Sequence, residues 1–328
     1  MPFRLRVTQI ILLTLLAAIV LLPLIWPVPE LGDVQSHRDL AGPDATFVDW
    51  QGTDVHARMA GPEDGVGLGA GFVHGFGSNL VSFQAVQDQL AAGGVRTVAW
   101  DRPAFGLTER TTDWSGLNPY APEAQVDQTV RLLDAAGIEA AVLVAHSAGA
   151  PVAIETARAH PDRVAALVLI GPAVYTGGGT PGWLRPLLFT PQMERIGPLL
   201  MRQLAGAPGR SLVESGYADP ANLKPDVLAA YEQATQVEGW DQALWELVQA
   251  SRTPEADALL AGLDLPVLVI AGREDALVPF EDAERLAADL PNAGLVALDG
   301  CGHVPQEECA EETAAAVESF VFRVSQGR

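Results

Sequence analysis

Three residues of this chain could together attack a carbonyl and move the protons that the attack requires: Ser147, Asp275 and His303. Serine is a poor nucleophile near neutral pH, because its proton must leave as its oxygen attacks. A histidine within reach accepts that proton and returns it to the leaving group. A carboxylate behind the histidine sets its tautomer and stabilises its charged form. The serine stands in Ala145-His146-Ser147-Ala148-Gly149, after the apolar run Val142-Leu143-Val144 and before a helix-like segment from Pro151 to His160. A strand that turns sharply into a helix at a serine pushes the hydroxyl outward, and such a turn tolerates only small neighbours. A serine capping an ordinary helix would look the same locally, so the partners matter. Asp275 follows the strand-like run Pro266 to Ala271, and His303 follows the run Gly294 to Leu298. Plain alternatives exist: Asp275 could cap a helix beginning near Pro279, and His303 could be a surface loop residue. Among the other histidines, His37 lies in a Pro/Gly-rich leader, His56 is strand-like and His160 ends a helix. His146 abuts the serine, so its side chain is expected to point away from the attacking side. Glu274 is a second acid candidate beside Asp275.

Elements must place those loops. Apolar runs bounded by Gly, Pro and Asp predict eight strands, near residues 45–50, 53–60, 69–74, 95–100, 140–145, 164–170, 266–271 and 294–299. Several, such as Ala141 to Ala145 and Leu167 to Ile170, are apolar on both faces, the pattern of a parallel sheet covered on both sides. Between them, Leu80 to Ala92, Pro122 to Ala136, Phe280 to Leu290 and Glu307 to Val324 carry apolar residues three or four apart, as amphipathic helices do. Alternating strands and helices give a doubly wound sheet with right-handed crossovers. Residues 174–255 break that rhythm, being rich in Pro and Gly and then helical. Gly65 to Gly71 precedes a strand instead of joining a strand to a helix, so it is a turn and not a phosphate loop. Gly177-Gly178-Gly179 is expected to be a mobile connection.

The chain order serine, acid, histidine, with each residue on a loop leaving a strand, resembles that of the α/β-hydrolase superfamily. Phe72-Val73-His74-Gly75-Phe76-Gly77 is similar to its oxyanion loop. Asp101-Arg102-Pro103-Ala104-Phe105-Gly106 is similar to its Asp-Arg-Pro-Gly-x-Gly turn, with Ala104 in place of a glycine, and Ala145 likewise replaces the first glycine of the serine pentad. The resemblance runs from about Thr46 to the C-terminus and is weakest between Val174 and Glu255. It implies an eight-stranded, mostly parallel sheet with helices on both faces, formed by residues 46–173 and 256–328, and a helical cap of residues 174–255 inserted after strand six. It implies Ser147, Asp275 and His303 as the triad and the N–H groups of Phe76 and Ala148 as the oxyanion hole. The family's other usual acid position, after strand six, has no carboxylate here, since it reads Gly171-Pro172-Ala173-Val174. His74 is expected to brace the oxyanion loop, and Trp183, Leu184 and Leu188 to line a pocket or face a membrane. The leading expectation is hydrolysis of esters with an apolar acyl group, without cofactor or metal. A serine nucleophile argues against epoxide and haloalkane hydrolysis. Carbon–carbon bond hydrolases, cofactor-free peroxidases and aminopeptidases share the same apparatus, because fold does not fix substrate. From another class, a non-catalytic, membrane-tethered binding module could keep this fold.

The chain has 328 residues, enough for one large α/β domain with an insertion. Forty-one acidic residues face 20 basic ones, for a formal charge of −21, which disfavours nucleic acid and anionic headgroups as partners. Val7 to Trp26 is almost wholly apolar and long enough as a helix to cross about 30 Å of hydrocarbon. Arg4 and Arg6 precede it, and Pro27, Pro29, Glu30 and Asp33 follow. Basic residues stay in the cytoplasm, so the remainder is expected on the other side. A cleavable signal would end in a small-x-small site, whereas this run ends in Leu22-Pro23-Leu24-Ile25-Trp26-Pro27. Residues 1–29 are therefore expected to be an anchor, with secretion after cleavage as the alternative, and residues 30–45 a tether. The two cysteines, Cys301 and Cys309, flank His303; export would permit a disulfide between them, and two free thiols are the alternative. With scattered histidines they do not make a zinc site.

Overall fold

Alternate residues of the central strands feed two separate cores, one on each face of a single sheet. In the computed structural model, which describes residues 2–63 (2–6 by backbone only), 68–176, 180, 182–252 and 255–327, the strands are β1 (Thr46–Trp50), β2 (Thr53–Ala60), β3 (Gly69–Val73), β4 (Thr97–Trp100), β5 (Ala141–His146), β6 (Val164–Ile170), β7 (Val267–Gly272) and β8 (Ala293–Leu298). Residues 65–67 and 177–179, expected as a turn and a mobile connection, lie outside the described residues. The strand order is β1-β2-β4-β3-β5-β6-β7-β8. Only β2 runs antiparallel to its neighbours. On β5, Ala141, Leu143 and Ala145 join one core while Val142 and Val144 join the other. Val267, Val269 and Ala271 of β7 are divided from Leu268 and Ile270 in the same way. A strand buried on both faces has no polar side to display, which is why these segments read as unbroken apolar runs.

The helices, in chain order, are α1 (Pro2–Ile25), α2 (His37–Ala41), α3 (Gln84–Ala92), α4 (Pro122–Ala135), α5 (Ala150–Ala159), α6 (Arg185–Leu188), α7 (Pro191–Ala205), α8 (Ala207–Ser215), α9 (Pro225–Gln233), α10 (Trp240–Ala250), α11 (Ala256–Leu260), α12 (Phe280–Asp289), α13 (Pro305–Glu308) and α14 (Ala310–Gln326). One core takes Leu132 and Leu133 of α4, Val152 and Ile154 of α5 and Leu286 of α12. The other takes Val86 and Leu90 of α3 with Val317, Phe320 and Val321 of α14. Burying each such side chain stabilises the fold by about 1.5–3 kcal/mol. The sequence pattern merges α13 with α14, but the chain breaks at Cys309, whose ψ of 52° is not helical. Leu80–Phe83 is a tight 3₁₀ turn leading into α3, and the Asn79 side chain accepts the N–H of Val81 at its start.

Helices α6 to α10 lie between β6 and β7, in the expected cap position. Their own core is Met201, Trp240 and Trp245, against which Leu31, Val34 and Leu188 pack. Ala243 and Leu247 of α10 meet Ala104, Phe105 and Tyr120, which joins the cap to the main domain. The segment expected as a tether is docked along this cap. Gln35 pairs with Val237 in an isolated parallel bridge, its N–H donating to the Gln236 carbonyl (2.8 Å) and its carbonyl accepting from Glu238 (2.9 Å). Backbone pairing and two apolar anchors make the segment part of the folded unit.

Candidate active site

Ser147 sits where β5 ends, with a φ of +49°. A non-glycine residue in this left-handed region is strained by roughly 1–2 kcal/mol, and the surroundings hold it there. The neighbouring glycine is required sterically, since a Cβ on Gly149 would run into the carbonyl oxygens of Val73 and His74. Ala145 is tolerated where a glycine was expected because its methyl points into the sheet's core. The Ser147 hydroxyl lies 2.9 Å from His303 Nε2, and His303 Nδ1 lies 2.8 Å from Asp275 Oδ2. An ionised carboxylate only accepts, so Nδ1 carries the proton and Nε2 is left to accept from the serine. Asp275 is held in turn by the N–H groups of Leu277 and Val278, each 2.8 Å from Oδ1. The three side chains come from loops after β5, β7 and β8, 156 and 28 residues apart along the two hydrogen bonds. The structure thus brings together the residues that the sequence singled out.

The oxyanion loop passes directly over the serine. A Cβ on Gly75 would lie 2.8 Å from His146 Nδ1 and 3.0 Å from Ser147 Cβ, so only glycine allows that approach. Phe76 follows, half-exposed and edge-on to Phe105. Its N–H has no acceptor among the described residues. Ala148 lies in the first turn after the serine, where helical N–H groups have no partner of their own. His74 braces this loop: its Nε2 accepts the Arg102 N–H (2.8 Å) while Nδ1 donates to the Gly75 carbonyl (2.8 Å). Burial, and then the Arg102 charge, push its pKa down to about 3, so it stays neutral. Asp101, in the turn after β4, accepts the N–H groups of Leu80 and Leu107 and pairs with His56, each at 2.7 Å. Burial opposes its ionisation, but these partners hold it below the usual carboxylate range.

Several contacts at the site go beyond the sequence reading. His146 is buried and donates from Nε2 to the carbonyl of His303 (2.9 Å). Its ring packs against that of His303 (centroids 4.8 Å apart), with Nδ1 facing Gly75, and it supports the backbone of His303. Burial, and then His303, hold its pKa well below the usual value, which keeps it neutral. The His303 N–H donates to the carbonyl of Gly216 in the cap (2.7 Å). Glu308 accepts from the N–H groups of Gly302 (2.7 Å), Ala218 (2.9 Å) and Asp219 (3.0 Å). Glu307 receives the hydroxyls of Ser82, Tyr217 and Tyr231, which joins the segment after the oxyanion loop to the cap. Cys301 and Cys309 form a disulfide, closing the loop that carries His303. Apart from the bridge and the Gly302–Glu308 bond, these contacts link residues distant in sequence, so no local spacing announces them.

Of the residues expected at a pocket, Leu184 is half-buried and Leu188 packs against the cap's own core. Trp183 is 79 % exposed, which does not fit the lining of a pocket. Among the described residues, His37, Asp54 and Glu109 converge with metal-ligand spacing. They lie away from the triad, and Arg38 already donates to Asp54 (2.7 Å).

A family model for the alpha/beta hydrolase fold matches residues 72–310. A 2-hydroxymuconate semialdehyde hydrolase of Pseudomonas putida is 30 % identical over 273 residues, covering 79 % of this chain and 89 % of its own. A 2-hydroxy-6-oxononadienedioate/2-hydroxy-6-oxononatrienedioate hydrolase of Burkholderia vietnamiensis (strain G4 / LMG 22486) is 30 % identical over 276 residues, covering 76 % and 86 %. In structure, a thermophilic esterase from Thermogutta terrifontis superposes with a TM-score of 0.69 at 22 % identity, over 86 % of this chain and 100 % of that one.

Proposed function

Because the chain belongs to the α/β-hydrolase family and is a hydrolase, we propose that it cleaves carboxylic esters with an apolar acyl group through an acyl-enzyme intermediate. The observation that carries this reading is the relay of Ser147, His303 and Asp275, at 2.9 and 2.8 Å. As Ser147 Oγ bonds to the ester carbon, His303 Nε2 takes its proton, and Asp275 stabilises the resulting imidazolium. The N–H groups of Phe76 and Ala148 receive the charge that develops on the carbonyl oxygen; one such donor contributes roughly 2.7–4 kcal/mol. His303 then protonates the departing alkoxide, and water releases the acid by the same steps in reverse.

Carbon–carbon bond hydrolysis is the second reading, favoured by relatives named for a semialdehyde and a dioate as substrates. A dicarboxylate needs cations to receive it. Of the six cations in residues 174–255, Arg185, Arg195, Arg202, Arg210 and Arg252 are each already bound to a carbonyl or a carboxylate, and Lys224 acts on the buried Glu307. That arrangement, with a formal charge of −21, favours an uncharged acyl group. Nitrophenyl esters of graded chain length, assayed beside a vinylogous keto-diacid, test the choice. Turnover of esters with a mid-length optimum is expected; cleavage of the keto-diacid alone would reject the ester reading. Covalent labelling of Ser147 by a fluorophosphonate separates either enzyme from a non-catalytic module.

We also propose that α1 is a retained membrane anchor and that the catalytic domain is extracytoplasmic. Val7–Ile25 is long and apolar enough to cross a bilayer, and none of it is buried in the protein. The chain just beyond it is fixed to the cap, and a disulfide beside the site suits an oxidising compartment.

A further inference from the structure

The most exposed large apolar side chain among the described residues is Trp183, and Leu187 and Phe189 near it are each 55 % exposed. Trp183 lies in the turn just before α6, Leu187 on α6, and Phe189 in the elbow that joins it to α7. Scattered exposed leucines need no explanation, but a tryptophan, a leucine and a phenylalanine within seven residues form a patch that calls for a partner.

The helix that begins at this elbow runs beside the end of α1. Gln192, in the first turn of α7, donates to the carbonyl of Val20 (3.1 Å). Arg195 donates to the carbonyl of Trp26 (3.0 Å), and Arg202 to that of Pro29 (2.6 Å). Both segments advance in the same direction, so these contacts set relative depth. The start of α7 is level with Val20, and its middle with Trp26. Val20 lies five residues inside the end of the apolar span, or roughly 7.5 Å at the helical rise. That is the depth at which interfacial apolar side chains rest in a bilayer.

We propose that α6 and the turns on either side of it insert Trp183, Leu187 and Phe189 into the outer leaflet of the membrane that α1 crosses. The proposal rests on the anchor reading given above. The polar groups at this depth have partners: Gln192 on the Val20 carbonyl, Arg185 on the carbonyls of Gln249 and Ser251, and the exposed Glu194 carboxylate on Gln249 Nε2 (2.7 Å). Thr190, between the patch and α7, donates its hydroxyl to the Leu187 carbonyl (2.9 Å). Trp26 and Trp183 then form an aromatic pair at the interface, where tryptophan is favoured, and the cap is held against lipid by two separate points of the chain.

The test uses the full chain reconstituted in phosphatidylcholine vesicles, with and without bromine placed high on the acyl chains. Bromine quenches tryptophan only on contact, and Trp183→Phe and Trp26→Phe identify the emitters. Wild type is expected to lose emission in brominated vesicles. Trp183→Phe is expected to remove a quenched component comparable with the one that Trp26→Phe removes. If Trp26 contributes a quenched component and Trp183 none, the anchor stands and the elbow proposal falls. The elbow proposal falls equally if Trp183 is shielded from bromine by a second copy or a soluble partner. If neither is quenched, the anchor reading falls and takes the proposal with it.

Discussion

At the scale of single residues the site is a trade of stability for reactivity. Ser147 is held at a φ of +49°, which aims its hydroxyl at His303 and costs the fold about 1–2 kcal/mol. Ser147→Gly is therefore expected to be inactive yet more stable, by about 1 kcal/mol, in a chemical denaturation curve. An unchanged or lower stability would mean that the turn is not strained. Ser147→Ala, Asp275→Asn and His303→Ala should each lower ester turnover by roughly 10³–10⁶-fold, and double variants should be little worse than the singles, because the three act as one unit. Steady-state rates on a nitrophenyl ester measure this, and near-normal turnover in Ser147→Ala would falsify the assignment. Gly75→Ala makes a sharper test of the oxyanion loop. A methyl there would press on Ser147 Cβ and His146, so kcat should fall by at least about 10²-fold, as expected when one oxyanion donor is displaced, and the fold should lose about 1–3 kcal/mol to the crowding. If instead KM alone rises, the loop binds substrate and does not stabilise the transition state.

At the scale of elements, the loop carrying His303 is tied down from both sides. The disulfide closes it against α13, and Glu308 holds it to the cap segment Gly216–Asp219. A bridge with a sequence separation of 8 stabilises the fold by about 2–3 kcal/mol on a chain-entropy estimate. Thiol titration should find no free thiol without reductant and two with it, and reduction should lower the unfolding free energy by about that amount. Glu308 adds a dependence on pH. Burial works against its charge, but the N–H groups of Asp219, Ala218 and Gly302 prevail and lower its pKa from 4.5. A carboxylate with a lowered folded value lends stability that is complete above its unfolded value and is withdrawn as pH falls through the folded one. Glu308→Gln should then cost about 1–2 kcal/mol at neutral pH and progressively less below pH 4.5. A cost that does not shrink in acid would mean that charge is not what holds the cap. Glu307 has the opposite sign. Burial raises its pKa against the pull of Ser82, Tyr217 and Tyr231, so its contribution is present in acid and withdrawn as pH rises through the raised value.

At the scale of the whole molecule, the chain after α1 ties that helix to the cap and the cap to the sheet. The chain leaves α1 at Trp26, is held by Arg195 and Arg202 of α7, and crosses the cap through Gln35 before entering β1. If α1 remains attached and Arg4 and Arg6 stay in the cytoplasm, the catalytic domain should be digested by protease added to spheroplasts. The purified native protein should also retain its first residues in an intact mass spectrum. Resistance in spheroplasts, or a mass beginning near Glu30, would refute the topology. The large acidic excess should keep the domain soluble wherever it is not held to lipid.

Much of the fold is legible in the amino-acid sequence by itself, because its signals are local and repeated. Runs apolar on both faces mark the parallel strands, and small residues around Ser147 mark a turn that only small residues fit. The eight strands lie within about two residues of their expected places, since burial on both faces leaves little freedom for polar substitution. The order of Ser147, Asp275 and His303 can be read because each follows a strand whose end is well marked. Tertiary structure decided whatever depends on pairs distant in the chain. The bridge between Cys301 and Cys309 needed a Cα separation of 6.2 Å, which spacing alone does not set. The role of Gly216 as acceptor for the His303 N–H, the convergence of Ser82, Tyr217 and Tyr231 on Glu307, and the docking of Gln35 beside Val237 are likewise contacts between remote segments. Trp183 shows the limit most plainly. Its apolar ring suits a pocket and a lipid surface equally, and only its exposure in the turn before α6 favours the second.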